Sequence, residues 1–150
     1  MARYHAAVQS RRPAQETFDY LAMFSNADEW DPGVLAGQQL DPGPVAVGTR
    51  FRLVVAFLGG RLSLTYTVTG YGPGRRVTLT AISGLLRATD RIEVTDGALV
   101  SYDAEVVLRG PLRVLDAALR PGFRKIAERA ARSLAATLEA DPARPQDARR

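Results

Sequence analysis

From Gly48 onward, apolar and polar residues alternate with a period of two, and after Pro111 the apolar ones recur every three or four positions. The first pattern is that of half-buried strands and the second that of an amphipathic helix. Phe51, Leu53, Val55 and Phe57 alternate with Arg52, Val54 and Ala56, and Gly59-Gly60 predicts a tight hairpin. Leu62, Leu64, Tyr66 and Val68 then alternate with Arg61, Ser63, Thr65 and Thr67. Gly72-Pro73-Gly74 turns the chain into Arg75–Ile82, where Val77, Leu79 and Ala81 share a face. Ser83-Gly84 turns it into a strand with Leu86, Ala88, Asp90, Ile92 and Val94 on one side. Asp96-Gly97 predicts a type I′ hairpin. The strand after it, Leu99–Arg109, points Val100, Tyr102, Ala104, Val106 and Leu108 inward and Asp103 and Glu105 outward.

The helical stretch runs from Pro111 to Glu139. Leu112, Leu115, Leu119, Phe123, Ile126, Ala130, Leu134 and Leu138 form its apolar stripe, with Arg113, Arg124, Lys125, Glu128, Arg129 and Arg132 opposite. Pro121 cannot donate to the Ala117 carbonyl, so a kink or short break is expected there. At the other end, Arg3 to Gln9 reads as a strand with Tyr4, Ala6 and Val8 on one face and His5 on the other. Pro13 opens a helix with Glu16 in its first turn and Phe18, Leu21 and Ala22 on one face. Ser25 or Asn26 can cap a second short helix, Ala27 to Trp30, which Asp31-Pro32-Gly33 ends. A short strand is expected near Gly37–Asp41. The order is β-α-α-β-β-β-β-β-β-α. A meander this long twists and curls, and one long helix can cover its apolar face, which gives an α+β helix-grip architecture. Residues 1–140 read as a single domain, and 141–150, DPARPQDARR, as a polar, flexible tail.

Composition narrows the chemistry. The chain has 150 residues, no cysteine and one histidine, so disulfides, thiolate catalysis and sites needing two imidazoles are excluded. No metal and no cofactor is expected. The formal charge is +4, but the basic residues are spread along strands, turns and the helix rather than gathered with aromatics, which speaks against nucleic acid. No apolar run is long enough to span a membrane, and the N-terminus lacks a signal-peptide h-region, so a cytoplasmic protein is expected. Gly72-Pro73-Gly74 joins strands and is not a phosphate loop. No Ser-His-Asp set can be assembled.

Several stretches, in order, resemble the polyketide cyclase/dehydrase and lipid-transport superfamily, also called START-like or Bet v 1-like. Asn26-Ala27-Asp28-Glu29-Trp30-Asp31-Pro32-Gly33-Val34 is similar to its segment after the first helix. Pro44-Val45-Ala46-Val47-Gly48-Thr49-Arg50-Phe51 resembles its approach to the third strand. Asp96-Gly97-Ala98-Leu99-Val100-Ser101-Tyr102 is similar to its last hairpin, although a Gly-Gly-Thr run is commoner there. Leu108-Arg109-Gly110-Pro111-Leu112, leading into the helix, matches as well. The resemblance covers roughly residues 3 to 140. It implies a helix-grip fold with an apolar cavity between curved sheet and C-terminal helix, and leaves function open, because that fold hosts carriers, receptors and cyclases.

The inward positions define the candidate site. The sheet wall would comprise Phe51, Leu53, Val55 and Phe57, then Leu64, Tyr66, Val68 and Leu79, then Ala88, Asp90, Tyr102, Ala104 and Val106. Leu115, Leu119, Phe123 and Ile126 would form the helix wall, and Trp30 with Phe24 could close one end. A typical pocket of this kind has about 300–1,000 Å³; the alternative is that these side chains fill the space. The small residues Ala81, Ala88 and Ala104 favour a void. Asp90 stands out, because the alternation turns its carboxylate inward, where a bare charge is costly. It would bind a polar end of a ligand, act as a general acid/base, or pair with Arg87 or Arg109. Tyr66 and Tyr102 could donate to a ligand carbonyl, and Asp116 could reach the pocket mouth. The expected function is binding of a small hydrophobic molecule: a lipid, polyketide or aromatic metabolite. One alternative is a metal-free cyclase/dehydratase, a lyase or isomerase, with Asp90 or Tyr102 moving a proton. Another is a protein-interaction module without ligand. The expected partner is the small ligand, with a homodimer left open.

Overall fold

In a computed structural model, which describes residues 2–57 and 59–139, seven antiparallel strands form one sheet. The strands are β1 (Ala2–Gln9), β2 (Val34–Gln39), β3 (Arg50–Phe57), β4 (Gly60–Gly72), β5 (Arg76–Ile82), β6 (Leu86–Val94) and β7 (Leu99–Leu108), in the spatial order β1-β7-β6-β5-β4-β3-β2. From β2 to β7 each strand pairs with its sequence neighbour, and β1 closes the order by pairing with β7. The helices α1 (Ala14–Ala22) and α2 (Ala27–Trp30) flank a 3-10 turn, Phe24–Asn26. A second 3-10 segment, Gly110–Leu115, leads into α3 (Asp116–Glu139). This is the expected α+β helix-grip fold.

The alternation read from the sequence sets the inner face. Leu86, Ala88, Asp90, Ile92 and Val94 are all buried along β6, while Arg87, Arg91 and Glu93 between them are exposed. Bulges bend the sheet, one in β2 between Val34 and Ala36 and one in β4 between Val68 and Gly70. The concave face they create is shared by two covers. Under α1 and the first 3-10 turn the space is filled, with Phe24 edge-on to Phe51 and Tyr66 at centroid distances of 6.4 and 5.0 Å. Under α3 it is not.

α3 packs chiefly against β1 and α2. Its C-terminal half is anchored: Leu134 and Leu138 are buried, and the Arg11 backbone N–H donates to the Leu138 carbonyl at 3.1 Å. Its N-terminal half stands away from the sheet, leaving Ile126 53 % exposed, and the segment before it leaves Val114 84 % and Leu115 42 % exposed.

Several local expectations are corrected. The α-helix runs through Pro121 without a break, and the change of helix type falls at Leu115/Asp116 instead. Pro121 lies on the exposed, poorly packed half, so the unsatisfied Ala117 carbonyl can turn to water. The expected strand near Gly37–Asp41 runs instead from Val34 to Gln39, and its Gly37 lies against the 3-10 turn. A Cβ there would collide with the Ser25 carbonyl oxygen and come within 2.9 Å of Ser25 Cα. Asn26 does not cap α2; its Nδ2 donates to the Tyr20 carbonyl at 3.0 Å and so ties down the end of α1. Gly60 already pairs with Phe57 as the first residue of β4. In the last hairpin the left-handed residue is Ala98, at φ 60°, not Gly97. The Ala98 N–H donates to the Thr95 carbonyl, a turn closed by a left-handed fourth residue rather than type I′. The tail at 141–150 lies outside the described residues. No helix among the described residues is long and apolar enough to cross a membrane.

Candidate functional site: a carboxylate pair in an aromatic hollow

The unfilled half of the concave face holds two adjoining chambers of about 130 and 170 Å³. Trp30, Asp31, Tyr66, Asp90 and Tyr102 stand in the walls of both, with Phe123 and Ile126 of α3 opposite them. Each chamber alone is below the usual range for a ligand pocket. The half-open seat of α3 is the part of the wall with room to give. The larger recess, about 610 Å³, is an open groove on the convex face lined by Arg87, Arg91, Arg109 and Arg113, unconnected with these side chains.

Asp90 sits in the middle of β6, opposite Leu79 on one neighbouring strand and Ala104 on the other. It is 7 % exposed, and its Oδ2 accepts a hydrogen bond from the Tyr102 hydroxyl at 2.8 Å. Burial pushes its carboxyl up to about 7; the Tyr102 hydrogen bond pulls the other way, and the negative charge of Asp31 adds to the rise. The alternative of an arginine pair does not occur. Arg87 lies exposed on the opposite face of the strand, and Arg109 gives Nη1 to the Ser83 carbonyl.

Asp31 completes the polar set, and the sequence reading missed it. In the sequence, Asp31-Pro32-Gly33 marks the end of a helix and belongs to the stretch that carries the family resemblance, without pointing to a site. The Asp31 Oδ1 does accept the Gly33 N–H at 2.8 Å, as such a turn requires, yet the same residue borders both chambers, and burial raises its carboxyl. Its place directly after the buried Trp30 was the one available signal. Tyr66 is 6 % exposed, and its hydroxyl has no hydrogen-bond partner among the described residues. Burial first, then the charges of Asp90 and Asp31, push its phenol well up, and the same causes act on Tyr102. Trp30 packs edge-on to Tyr102 at 5.5 Å between centroids.

The other proposed wall residues divide cleanly. Leu53, Val55, Phe57, Leu64 and Ala88 border the larger chamber, Ala104 the smaller and Val106 both. Phe51, Val68 and Leu79 point inward but belong to the solid core, because α1 and the 3-10 turn fill the space above them. Ala81, expected to leave room, is likewise buried outside both chambers. Leu115 is exposed and borders neither chamber, Asp116 is half-buried and borders neither, and the side chain of Leu119 lies outside the described residues. His5 is on the surface, within 2.6 Å of Asp103. The sequence also missed Ala6 of β1 and Ala127, Ala130 and Ala131 of α3, whose small side chains keep the smaller chamber open. Among the described residues no three His, Cys, Asp or Glu side chains stand close enough together to hold a metal.

A curved antiparallel sheet, a terminal helix gripping it at one end and a hollow under the other define the helix-grip class. The chain belongs to the polyketide cyclase / dehydrase and lipid transport family, whose sequence profile matches residues 1–139. No curated protein matches it significantly by sequence. Its fold is shared with a START superfamily protein from Mycobacterium smegmatis (TM-score 0.70, 14 % identity, covering 91 % of this chain and 95 % of that one). It is also shared with the Zhui aromatase/cyclase from Streptomyces sp. R1128 (TM-score 0.69, 14 % identity, covering 91 % and 92 %). Ginseng major latex-like protein 151 from Panax ginseng is similar as well (TM-score 0.66, 9 % identity, covering 93 % and 98 %).

Proposed function

We propose that this protein binds a small, largely hydrophobic molecule in the hollow between α3 and the sheet. The observation that carries the reading is the unfilled space itself. Phe123 and Ile126 face Ala88 and Ala104 across a gap that larger residues at either alanine would close. Burial of apolar ligand surface there contributes roughly 25 cal/mol per Å², and the few polar groups fix its orientation. Native mass spectrometry of freshly purified protein tests this directly. A co-purifying small molecule, lost when Ala104 is enlarged, is the expected result; ligand-free protein that takes up no apolar probe would refute it.

One observation favours a second reading, catalysis of the cyclase/dehydratase kind. A carboxyl that titrates at about 7 and faces the hollow beside Tyr102 is matched to proton transfer near neutral pH. In that case Asp90 exchanges a proton with the substrate while Tyr102 holds its other oxygen, and the walls fold the reactive chain. Turnover of a polyketide-type substrate that disappears in Asp90→Asn with binding retained marks the enzyme. Binding without turnover in the wild type marks the carrier.

A further inference from the structure

We propose that the polar end of the molecule bound here is a protonated amine. The inference rests on the cavity reading above and names the ligand class. The walls of both chambers contain two carboxylates and no arginine, lysine or histidine, although the chain as a whole carries a formal charge of +4. Positive charge is plentiful on the convex face, at Arg87, Arg91, Arg109 and Arg113, and missing where the carboxylates are. Nor do the carboxylates satisfy one another. Tyr102 occupies one oxygen of Asp90 and the Gly33 N–H one oxygen of Asp31; the second oxygen of each has no hydrogen-bond partner among the described residues. The Tyr66 hydroxyl, also without a partner among the described residues, borders the same space.

Chemistry decides what completes such a site. A carboxylate removed from water without a counter-charge is costly, and a ligand carboxylate would add a third negative charge. A ligand carbonyl could accept a hydrogen bond from the Tyr66 hydroxyl but would bring no donor to the free oxygens of the aspartates. An ammonium group has three donors and no acceptor, which matches the free oxygens of Asp31, Asp90 and Tyr66. The rings of Trp30, Tyr66, Tyr102 and Phe123 supply the aromatic faces that attract cations. The groups that could disturb this balance are few. Tyr4 of β1 is the one other titratable side chain in the walls, and α3 contributes only Phe123, Ile126, Leu134 and alanines.

Trp30 is the chain's single tryptophan and stands in the wall, so its fluorescence reports occupancy. Titration with octylamine, octanol and octanoate at about pH 8 should rank them in that order, with octylamine tighter than octanol by about tenfold or more. Asp90→Asn and Asp31→Asn keep the shape and the accepting oxygen, and each should shrink the amine-over-alcohol preference by about tenfold. In the wild type that preference should also shrink towards about pH 5.5 as Asp90 takes up its proton. The alkylammonium, with a pKa of roughly 10 like lysine, stays charged throughout. The pH profile carries the test should either variant fail to fold. Octanol or octanoate binding as tightly as octylamine overturns the amine and leaves the cavity standing. Silence from all three ligands, with no added mass by native mass spectrometry, overturns both.

Discussion

Asp90 shows how one residue can join stability to function. The unfolded chain releases this proton near the ordinary 3.8, and the folded protein releases it at about 7. Between these values the unfolded state binds fewer protons, so wild-type stability falls as the pH rises from about 4 to about 7 and is level above that. Asp31, also raised by burial, acts with the same sign. Asp90→Asn removes the charge and keeps an acceptor for Tyr102. It should therefore match the wild type in thermal stability at about pH 4 and exceed it by about 2–4 kcal/mol at about pH 8. A difference that does not change with pH would show that the carboxylate is well solvated. That Asp90 turns inward could be read from Leu86, Ala88, Ile92 and Val94 around it. That Tyr102, not an arginine, answers it could not. Positions 12 residues apart meet only through the β6–β7 register, where Ile92 is opposite Tyr102 and Asp90 opposite Ala104.

At the scale of elements, α3 is a lever held at one end. Its apolar stripe predicts even burial from Leu112 to Leu138, yet only the C-terminal half is seated. The stripe specifies which face could be buried; it says nothing about how far the curved sheet reaches beneath it. Leu134→Ala should cost about 2–5 kcal/mol, as for a fully buried leucine. Leu115→Ala should stay within about 0.5 kcal/mol, as for a surface change. Chemical denaturation of the two variants checks both, and equal losses would mean that the 3-10 segment before α3 is clamped as firmly as the C-terminal half of the helix. Strands were more legible than turns for a related reason. A strand's face is stated by its own alternation, whereas a turn's type depends on which residue must adopt a positive φ. Ala98 does so here, next to a glycine better suited to it. The role of Asn26 and the glycine at position 37 likewise follow from close packing of the 3-10 turn on α1 and β2, neighbours that no local pattern names.

For the whole molecule, the division of the concave face matters most. One half is closed by Phe18, Leu21 and Phe24, the other left open by alanines on β1, β6, β7 and α3. Ala104→Leu tests whether the opening is real. With space to receive the new side chain, stability should hold or rise by up to about 2 kcal/mol while probe binding disappears. A loss of about 1–3 kcal/mol would be the mark of an already filled core.

The amino-acid sequence by itself determined the order of elements, the inward face of the later strands and the membership of Asp90, Tyr66 and Tyr102 in that face, since a period of two or of 3.6 residues is a local property of the chain. Only the tertiary structure decided which inward residues meet empty space and which meet α1. It also decided that Asp31 joins Asp90 and that positive charge is kept from their surroundings. Those are distances between segments far apart in sequence, set by the curvature of the sheet and the seating of a single helix, and no stretch of the chain encodes them alone.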